Sequence, residues 1–291
     1  MAMTEAPAGA AALAPPFLWK WLMILITISF LGLFLIVPMA AVLTEALRKG
    51  LWVALESFDD KSTQHAIKLT LIVAFIAVTC NLTFGVAAAW TIARFRFRGR
   101  NLLLTLIDLP FAVSPVISGL VFVLLFGRGG WFWPALQAYD IKIIFAVPGM
   151  VLATLFVTFP LVARELIPLM QEQGDEEEQA ALVLGASQFQ LFWRVTLPNV
   201  RWALMYGVIL ANARAMGEFG AVSVVSGHIA NRTNTMPLHV EMLYNEYNFT
   251  AAFSVSALLM MLAVVTLIVK SLLEWKISRQ RHSVQAEGAV E

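Results

Sequence analysis

Charged residues are scarce in this sequence. Only 13% of its 291 residues are Asp, Glu, Lys or Arg, whereas 59% are hydrophobic, and the net charge is +1. A soluble domain usually carries about 25% charged residues, so this chain has too little charge to cover a water-facing surface. The net charge near zero gives no indication of a polyanionic partner such as nucleic acid. These absences exclude an ordinary soluble globule and predict that lipid surrounds most of the chain.

Residues that commonly carry catalysis or metal binding are also few. Cys80 is the only cysteine, which excludes an internal disulfide. The four histidines, at positions 65, 228, 239 and 282, all lie outside the long apolar runs, and no His-Glu-x-x-His or Walker A motif occurs. We therefore predict no catalytic residue, no metal site and no cofactor bound by this chain, which disfavours an intramembrane enzyme.

Long apolar runs dominate what is present. A helix needs about 20 apolar residues to cross the hydrocarbon core of a bilayer. Six runs reach that length, at residues 21–44, 69–93, 102–127, 143–163, 202–225 and 247–269. Uninterrupted runs of this length favour helices over the alternating strands of a membrane barrel. The sequence predicts an all-α, polytopic membrane protein with six transmembrane helices, least regular between Pro110 and Pro115.

Basic residues indicate an orientation. Six crossings leave both termini on one side, and placing that side in the cytoplasm puts most Lys and Arg residues inside, Arg164 among them. Four arginines at positions 94, 96, 98 and 100 decide the orientation most strongly. Their simplest role is to hold the end of a span at the lipid headgroups. Residues 1–17 are predicted to be a disordered tail and residues 277–291 a cytoplasmic tail.

The longest inside loop, residues 164–201, has the pattern of a helical hairpin at the membrane surface. Acidic residues 175–178 suit the first turn of a helix, where the helix dipole favours negative charge. Gly185 is expected to adopt a left-handed conformation and end that helix. A second short helix would follow, with Phe189, Phe192 and Trp193 on one side, and would stop near Pro198. Such an apolar face outside lipid needs a groove in a partner.

This loop resembles the coupling loop of ABC importer permeases, in which Glu-Ala-Ala is followed by a glycine and later by Leu-Pro. The matching residues here are Gln179, Ala180, Ala181, Gly185, Val195, Leu197 and Pro198. The resemblance implies a MetI-like permease fold, with a loop that docks into a cleft of an ATPase subunit and transmits its motion. Gln179 departs from the usual Glu and so loses a charge-assisted contact. Glu178 is the nearest substitute, although it lies about 100° away around a helix.

Residues 109–119, 196–204 and 212–227 are similar to one permease subunit of the bacterial sulfate/thiosulfate importers. The resemblance implies a permease domain over residues 18–276 that includes the coupling loop 164–201. It also implies an inner-membrane assembly with a second homologous permease, an ATPase dimer that binds the ATP, and a periplasmic sulfate-binding protein. The stretch 214–221 is similar in molybdate permeases too, which leaves a molybdate or tungstate importer as an alternative. An ion-coupled secondary transporter should have inverted repeats, and none is seen.

Two charged residues lie within the fifth apolar run. Arg214 and Glu218 are spaced i, i+4, so they share one helical face and can pair. Each charge costs about 2.5–3.5 kcal/mol at membrane depth on insertion scales. Either the pair lines or gates the translocation path, with Arg214 offering donors to an oxyanion, or it is mutually neutralised and locks helix packing. The intramembrane polar residues Asp108, Asn81 and Asn212 are expected to form interhelical hydrogen bonds.

Overall fold

The structure is a computed structural model that describes residues 17–287, with side chains described for residues 19–275. The predicted tail over residues 1–17 lies outside the described residues apart from Phe17. Of the predicted tail over residues 277–291, the structure describes backbone only, up to Glu287. That backbone is helical, so the last helix continues through the predicted boundary at residue 276.

The described part of the chain is mostly helical and contains no strand, which confirms the prediction of an all-α fold. Its α-helices, in chain order, are α1 Phe17–Leu31, α2 Val37–Ala46, α3 Leu51–Glu56, α4 Lys61–Arg94, α5 Arg100–Ala112, α6 Pro115–Phe126, α7 Trp133–Ala138, α8 Val147–Glu172, α9 Glu176–Val183, α10 Gln188–Leu191, α11 Leu197–Met216, α12 Gly220–Ser226, α13 Met236–Asn245 and α14 Phe249–Glu287. Two π-helical turns, Gly32–Ile36 and Phe192–Thr196, join α1 to α2 and α10 to α11.

Four helices are long and apolar enough to cross a membrane unbroken: Trp19–Ala46, Lys61–Arg94, Val147–Glu172 and Phe249–Trp275. Two bent helix pairs are candidate spans as well, α5 with α6 at 109° and the helix Gln188–Met216 with α12 at 52°. The six predicted crossings correspond to these four helices and two broken spans. The unbroken ones tolerate proline: Pro148 lies in the first turn of α8, and Pro160 and Pro168 lie inside it.

The core of the bundle is formed by α4, α8 and α11, which pack along one another. Small residues allow the close approach, because a Cβ added at Gly85 would lie 3.0 Å from Val162 Cβ, and one at Gly207 would lie 3.2 Å from Val162 Cα. Asn81 on α4 donates to Thr158 Oγ1 on α8 at 2.6 Å. This bond confirms the interhelical role predicted for Asn81.

The two broken spans meet at their breaks. Val113 and Ser114 separate α5 from α6, between the two prolines that predicted an irregular segment. A Cβ at Gly220 would lie 3.0 Å from Pro115 Cβ, and one at Gly119 would lie 2.8 Å from the carbonyl oxygen of Ala221. Backbone that leaves the helical pattern at membrane depth is tolerated where protein or a water-filled cavity surrounds it. The close contact of α6 with α12 therefore places protein around both breaks.

Candidate functional site

Residues 175–196 form a compact helical hairpin, here called the surface hairpin. Its first helix, α9, begins with Glu176, Glu177 and Glu178 in its first turn. Gly185 ends it with φ at +88°. The N–H of Gly185 donates to Leu182 O and the N–H of Ala186 donates to Ala181 O, both at 3.0 Å, the pattern of a Schellman cap. The predicted left-handed glycine is confirmed.

The sequence predicted that the second helix of the surface hairpin would stop near Pro198, and that prediction is wrong. It begins at a capping box, in which Ser187 Oγ accepts from the N–H of Gln190 and Gln190 Oε1 accepts from the N–H of Ser187. The helix then passes through the π-helical turn Phe192–Thr196 into α11, where Pro198 lies in the first turn. The π turn lies directly before the proline, which has no N–H to donate, and the helix continues past it. The surface hairpin is therefore continuous with the fifth span.

An apolar patch covers the outer side of the surface hairpin. Val183 and Leu184 are each 88% exposed, Phe189 73% and Trp193 53%. Phe192 was predicted to share this side, and that prediction is wrong. Its ring is half-buried and meets the edge of Trp90, with ring centroids 5.4 Å apart.

The predicted motif residues divide between this patch and the bundle. Gln179, Ala180, Gly185 and Pro198 are exposed, whereas Ala181, Val195 and Leu197 are half-buried. The most exposed apolar residues, Val183 and Leu184, are not among the predicted motif residues, because the motif leaves the positions between Ala181 and Gly185 open. Only their hydrophobicity on a surface loop could have indicated them.

Glu178 faces the bundle, so it cannot substitute for the motif's missing glutamate at the outer surface. It is 7% exposed, and its Oε2 lies 2.9 Å from Nε of Arg94 at the end of α4. Its Oε1 accepts from Thr196 Oγ1 at 2.8 Å. Arg94 also donates to the carbonyl oxygen of Met170 near the end of α8, at 2.7 Å. One ion pair thus links the surface hairpin to the ends of α4 and α8.

The headgroup role predicted for the arginine cluster is therefore wrong for Arg94. Its side chain is only 12% exposed, whereas Arg96 and Arg98 are exposed beyond the end of α4. Sequence spacing could not have found this pairing, because 84 positions of chain separate Arg94 from Glu178 in the numbering.

Arg214 and Glu218 form the predicted pair, with Arg214 Nη1 2.7 Å from Glu218 Oε2. The two side chains differ in surroundings, since that of Arg214 is 43% exposed and that of Glu218 only 1%. Glu218 lies at the bend between α11 and α12, where its Oε1 accepts from the N–H of Ala221 at 3.0 Å. Glu218 therefore stabilises the bend, and Arg214 presents the charge at the surface of the bundle.

A second ion pair within the spans was missed. Arg164 was counted as a loop charge, but it lies inside α8, and its Nε is 2.7 Å from Asp108 Oδ1 on α5. The guanidinium also stacks over the ring of Phe111, 4.9 Å from its centre. The interhelical role predicted for Asp108 is confirmed. No group of three or more metal-binding side chains lies together within the described part of the chain.

The chain belongs to a family of membrane transport components. Residues 81–282 match the model of the binding-protein-dependent transport system inner membrane component, and this match extends over more than half of the chain. The broken spans and the surface hairpin described above all lie within the matched residues.

Individual relatives show which members of this family the chain resembles. The chain is 50% identical over 275 residues to the sulfate transport system permease protein CysW of Escherichia coli (strain K12), covering 94% of each chain. It is 51% identical over 255 residues to CysW of Synechocystis, covering 88% of this chain and 92% of that one. Identity to the E. coli permease CysT is lower, 33% over 254 residues.

Solved structures agree on the fold. A chain of a bacterial ABC transporter involved in the import of the acidic polysaccharide alginate matches with a TM-score of 0.72 at 18% identity, covering 91% of this chain and 99% of that one. A second alginate transporter structure, with a pentasaccharide-bound periplasmic protein, also matches with a TM-score of 0.72. The structural match identifies the importer permease fold. At identities this low it does not indicate the substrate.

Proposed function

We propose that this chain is a permease subunit of an ATP-driven importer that carries sulfate or thiosulfate across the bacterial inner membrane. The observation that carries the substrate is the 50% identity to CysW over 94% of both chains. The molybdate or tungstate alternative is not favoured, because the curated relatives compared above are named sulfate permeases. The chain would have no ATPase activity of its own.

The assembly we propose contains this chain, a second homologous permease, an ATPase dimer and a periplasmic sulfate-binding protein. The difference in identity between CysW and CysT relatives supports two distinct permeases, one of each kind. The apolar patch on the surface hairpin supports a protein partner on that side, since side chains exposed by 88% gain most from burial in a groove.

We propose that the surface hairpin couples ATP hydrolysis to transport. ATP-driven closure of the ATPase dimer would displace the surface hairpin, and its direct continuation into α11 would carry that displacement to the bend at Glu218. The Arg94–Glu178 pair would carry it to α4 and α8 as well. The motif residues from Gln179 to Pro198 form or support the docking surface in this proposal.

Arg214 and Glu218 serve different roles in the proposed path. Glu218, buried and bonded to the backbone of α12, holds the bend. Arg214 keeps a half-exposed guanidinium beside it, which offers donors to a tetrahedral dianion while its own charge is balanced. This division combines the two interpretations that the sequence left open.

The test is to purify this chain with its neighbouring subunits, reconstitute the complex and measure ATP hydrolysis with loaded binding protein. Stimulation by sulfate-loaded but not molybdate-loaded protein is expected. Val183→Glu with Leu184→Glu should abolish stimulation and ATPase co-purification, because it puts charge on the proposed docking surface. Tyr247→Glu, at a residue 81% exposed outside the surface hairpin, is the control for ATPase co-purification and should leave it unchanged. If only molybdate-loaded binding protein stimulated ATP hydrolysis, the proposed substrate would be wrong. If the Val183→Glu/Leu184→Glu variant still co-purified with the ATPase, the proposed coupling role would be wrong.

A further inference from the structure

The Arg164–Asp108 pair is unusual in being open to its surroundings although it lies inside candidate membrane spans. The side chains are 56% and 45% exposed, although both lie within spans. Charged side chains in spans almost always face a protein interior or a water-filled cavity, because lipid solvates them poorly. The face of α5 and α8 that carries this pair is therefore turned toward water or a protein partner in the assembly.

The pair lies at a different depth from Arg214. Arg164 is eight residues from the end of α8 at Glu172, which at 1.5 Å per residue is about 12 Å from the end of the bundle that bears the surface hairpin. Arg214 is seventeen residues from Leu197 at the same end, or about 26 Å from it. The close contact of Gly207 with Val162 fixes the two helices to each other. The two guanidinium groups are thus separated by roughly 13 Å in depth.

Both pairs adjoin the break between α5 and α6. Arg164 stacks on Phe111, in the last turn of α5. Glu218 precedes Gly220, which packs against Pro115 in the first turn of α6. Four positions separate Phe111 from Pro115, so one irregular segment has an arginine–carboxylate pair on each side of it.

We propose that Arg164 is a second anion contact on the translocation path, nearer the surface hairpin than Arg214, and that Asp108 positions it. The inference rests on the proposed function and extends it to a two-step path for a small oxyanion. Only the Nε of Arg164 pairs with Asp108, so the guanidinium keeps donors for an anion. The neighbouring carboxylate of Asp108 weakens the binding of an anion to Arg164. This suits a transport site, which must bind its ion weakly enough to release it.

A cysteine-accessibility experiment tests the proposal, because replacing Cys80 alone gives a cysteine-free chain. In a Cys80→Ser background of the assembled transporter, Arg164→Cys and Phe111→Cys should react with a water-soluble, sulfonate-bearing thiol reagent, and sulfate should slow the reaction. Phe111→Cys leaves the ion pair intact, which keeps the test valid where Arg164→Cys fails to assemble. Phe84→Cys is the control: Phe84 is 60% exposed on α4, ten residues from that helix's end, at a similar depth on a stretch of the helix that carries no charge. It should not react.

Uptake gives the second readout. Arg164→Gln should lower sulfate uptake roughly tenfold or more, the factor expected when one hydrogen bond to a charged group is lost. Arg164→Lys should retain part of it. If neither Phe111→Cys nor Arg164→Cys reacts while the Cys80→Ser parent imports sulfate normally, this inference is overturned and the proposed function stands. A wild-type complex that assembles but imports no sulfate overturns both.

Discussion

Gly185 controls the geometry of the surface hairpin through its backbone. Its φ of +88° is left-handed, and a Cβ added there would meet nothing within 4 Å, so any cost of substitution comes from conformation alone. A left-handed conformation costs an L-residue about 1–2 kcal/mol, and a β-branched one more. Gly185→Val should therefore reorient the turn and reduce both sulfate uptake and ATPase co-purification.

The matched control for Gly185 is Gly32→Val. Gly32 also has open space around it but does not have a positive φ, so valine fits there without strain. Equal uptake by the two variants would contradict the importance of the turn.

His239 gives the protein a pH-dependent stability. It is 1% exposed on α13, its Nε2 lies 3.0 Å from Thr63 Oγ1, and its Nδ1 is buried without a hydrogen-bond partner in the described residues. Burial lowers the pKa of His239 below its usual 6.5, against smaller opposing effects of Asp60 and Glu246. The unfolded chain thus binds a proton more readily than the folded one.

The direction in which stability changes with pH follows from that difference in proton binding. The stabilisation from a neutral His239 is complete above the unfolded pKa near 6.5 and is lost as pH falls toward the lower folded pKa. We expect the thermal unfolding midpoint of the purified complex to drop as pH falls through this window. His239→Gln should flatten that dependence, whereas His228→Gln, which changes a half-exposed histidine, should retain it. An unchanged pH slope in His239→Gln would refute the assignment.

At the scale of the elements, the Arg94–Glu178 pair joins the surface hairpin to α4 and α8. Removing one partner of a buried ion pair typically costs about 3–5 kcal/mol, because it leaves the other charge uncompensated. Arg94→Ala and Glu178→Gln should each lower the thermal unfolding midpoint and reduce the ratio of sulfate imported to ATP hydrolysed. The double variant Arg94→Met/Glu178→Gln should recover part of the stability, since no buried charge is then unpaired. Arg98→Ala, an exposed arginine four residues on, should change neither quantity.

Recovery of stability without recovery of transport would identify the pair as a mechanical link as well as a structural one. Full transport by both single variants would exclude that role.

Some features of the helices could be predicted from the sequence, and others could not. The crossings follow from uninterrupted apolar length, and the break in the third follows from Pro110 and Pro115, since both signals are local. The course of the chain through Pro198 depends on a π-helical turn that no residue type dictates. The inward turn of Glu178 and the pairing of Arg164 with Asp108 depend on partners distant in sequence. The ion pair of Arg164 was therefore missed, although the i, i+4 pair at Arg214 was found.

At the scale of the whole molecule, the first span is held loosely. None of the most apolar part of Trp19–Ala46 is buried, and its second half, α2, packs mainly against α14. Apolar side chains exposed along a whole span need lipid or a second permease around them. The core of α4, α8 and α11 thus carries the fold, and the first span is free to contact a partner.

The remaining prediction concerns how the whole bundle sits in the membrane. The exposed arginines Arg96 and Arg98 lie at the same end as the surface hairpin, and this end should face the cytoplasm by the positive-inside rule. In the Cys80→Ser background, Arg98→Cys should react with a membrane-impermeant thiol reagent only after the inner membrane is opened. Tyr247→Cys, between α13 and α14 at the opposite end, should react in cells whose inner membrane is intact. The reverse pattern would put the surface hairpin in the periplasm, where no ATP-driven partner could reach it, and the proposed coupling would fail with the orientation.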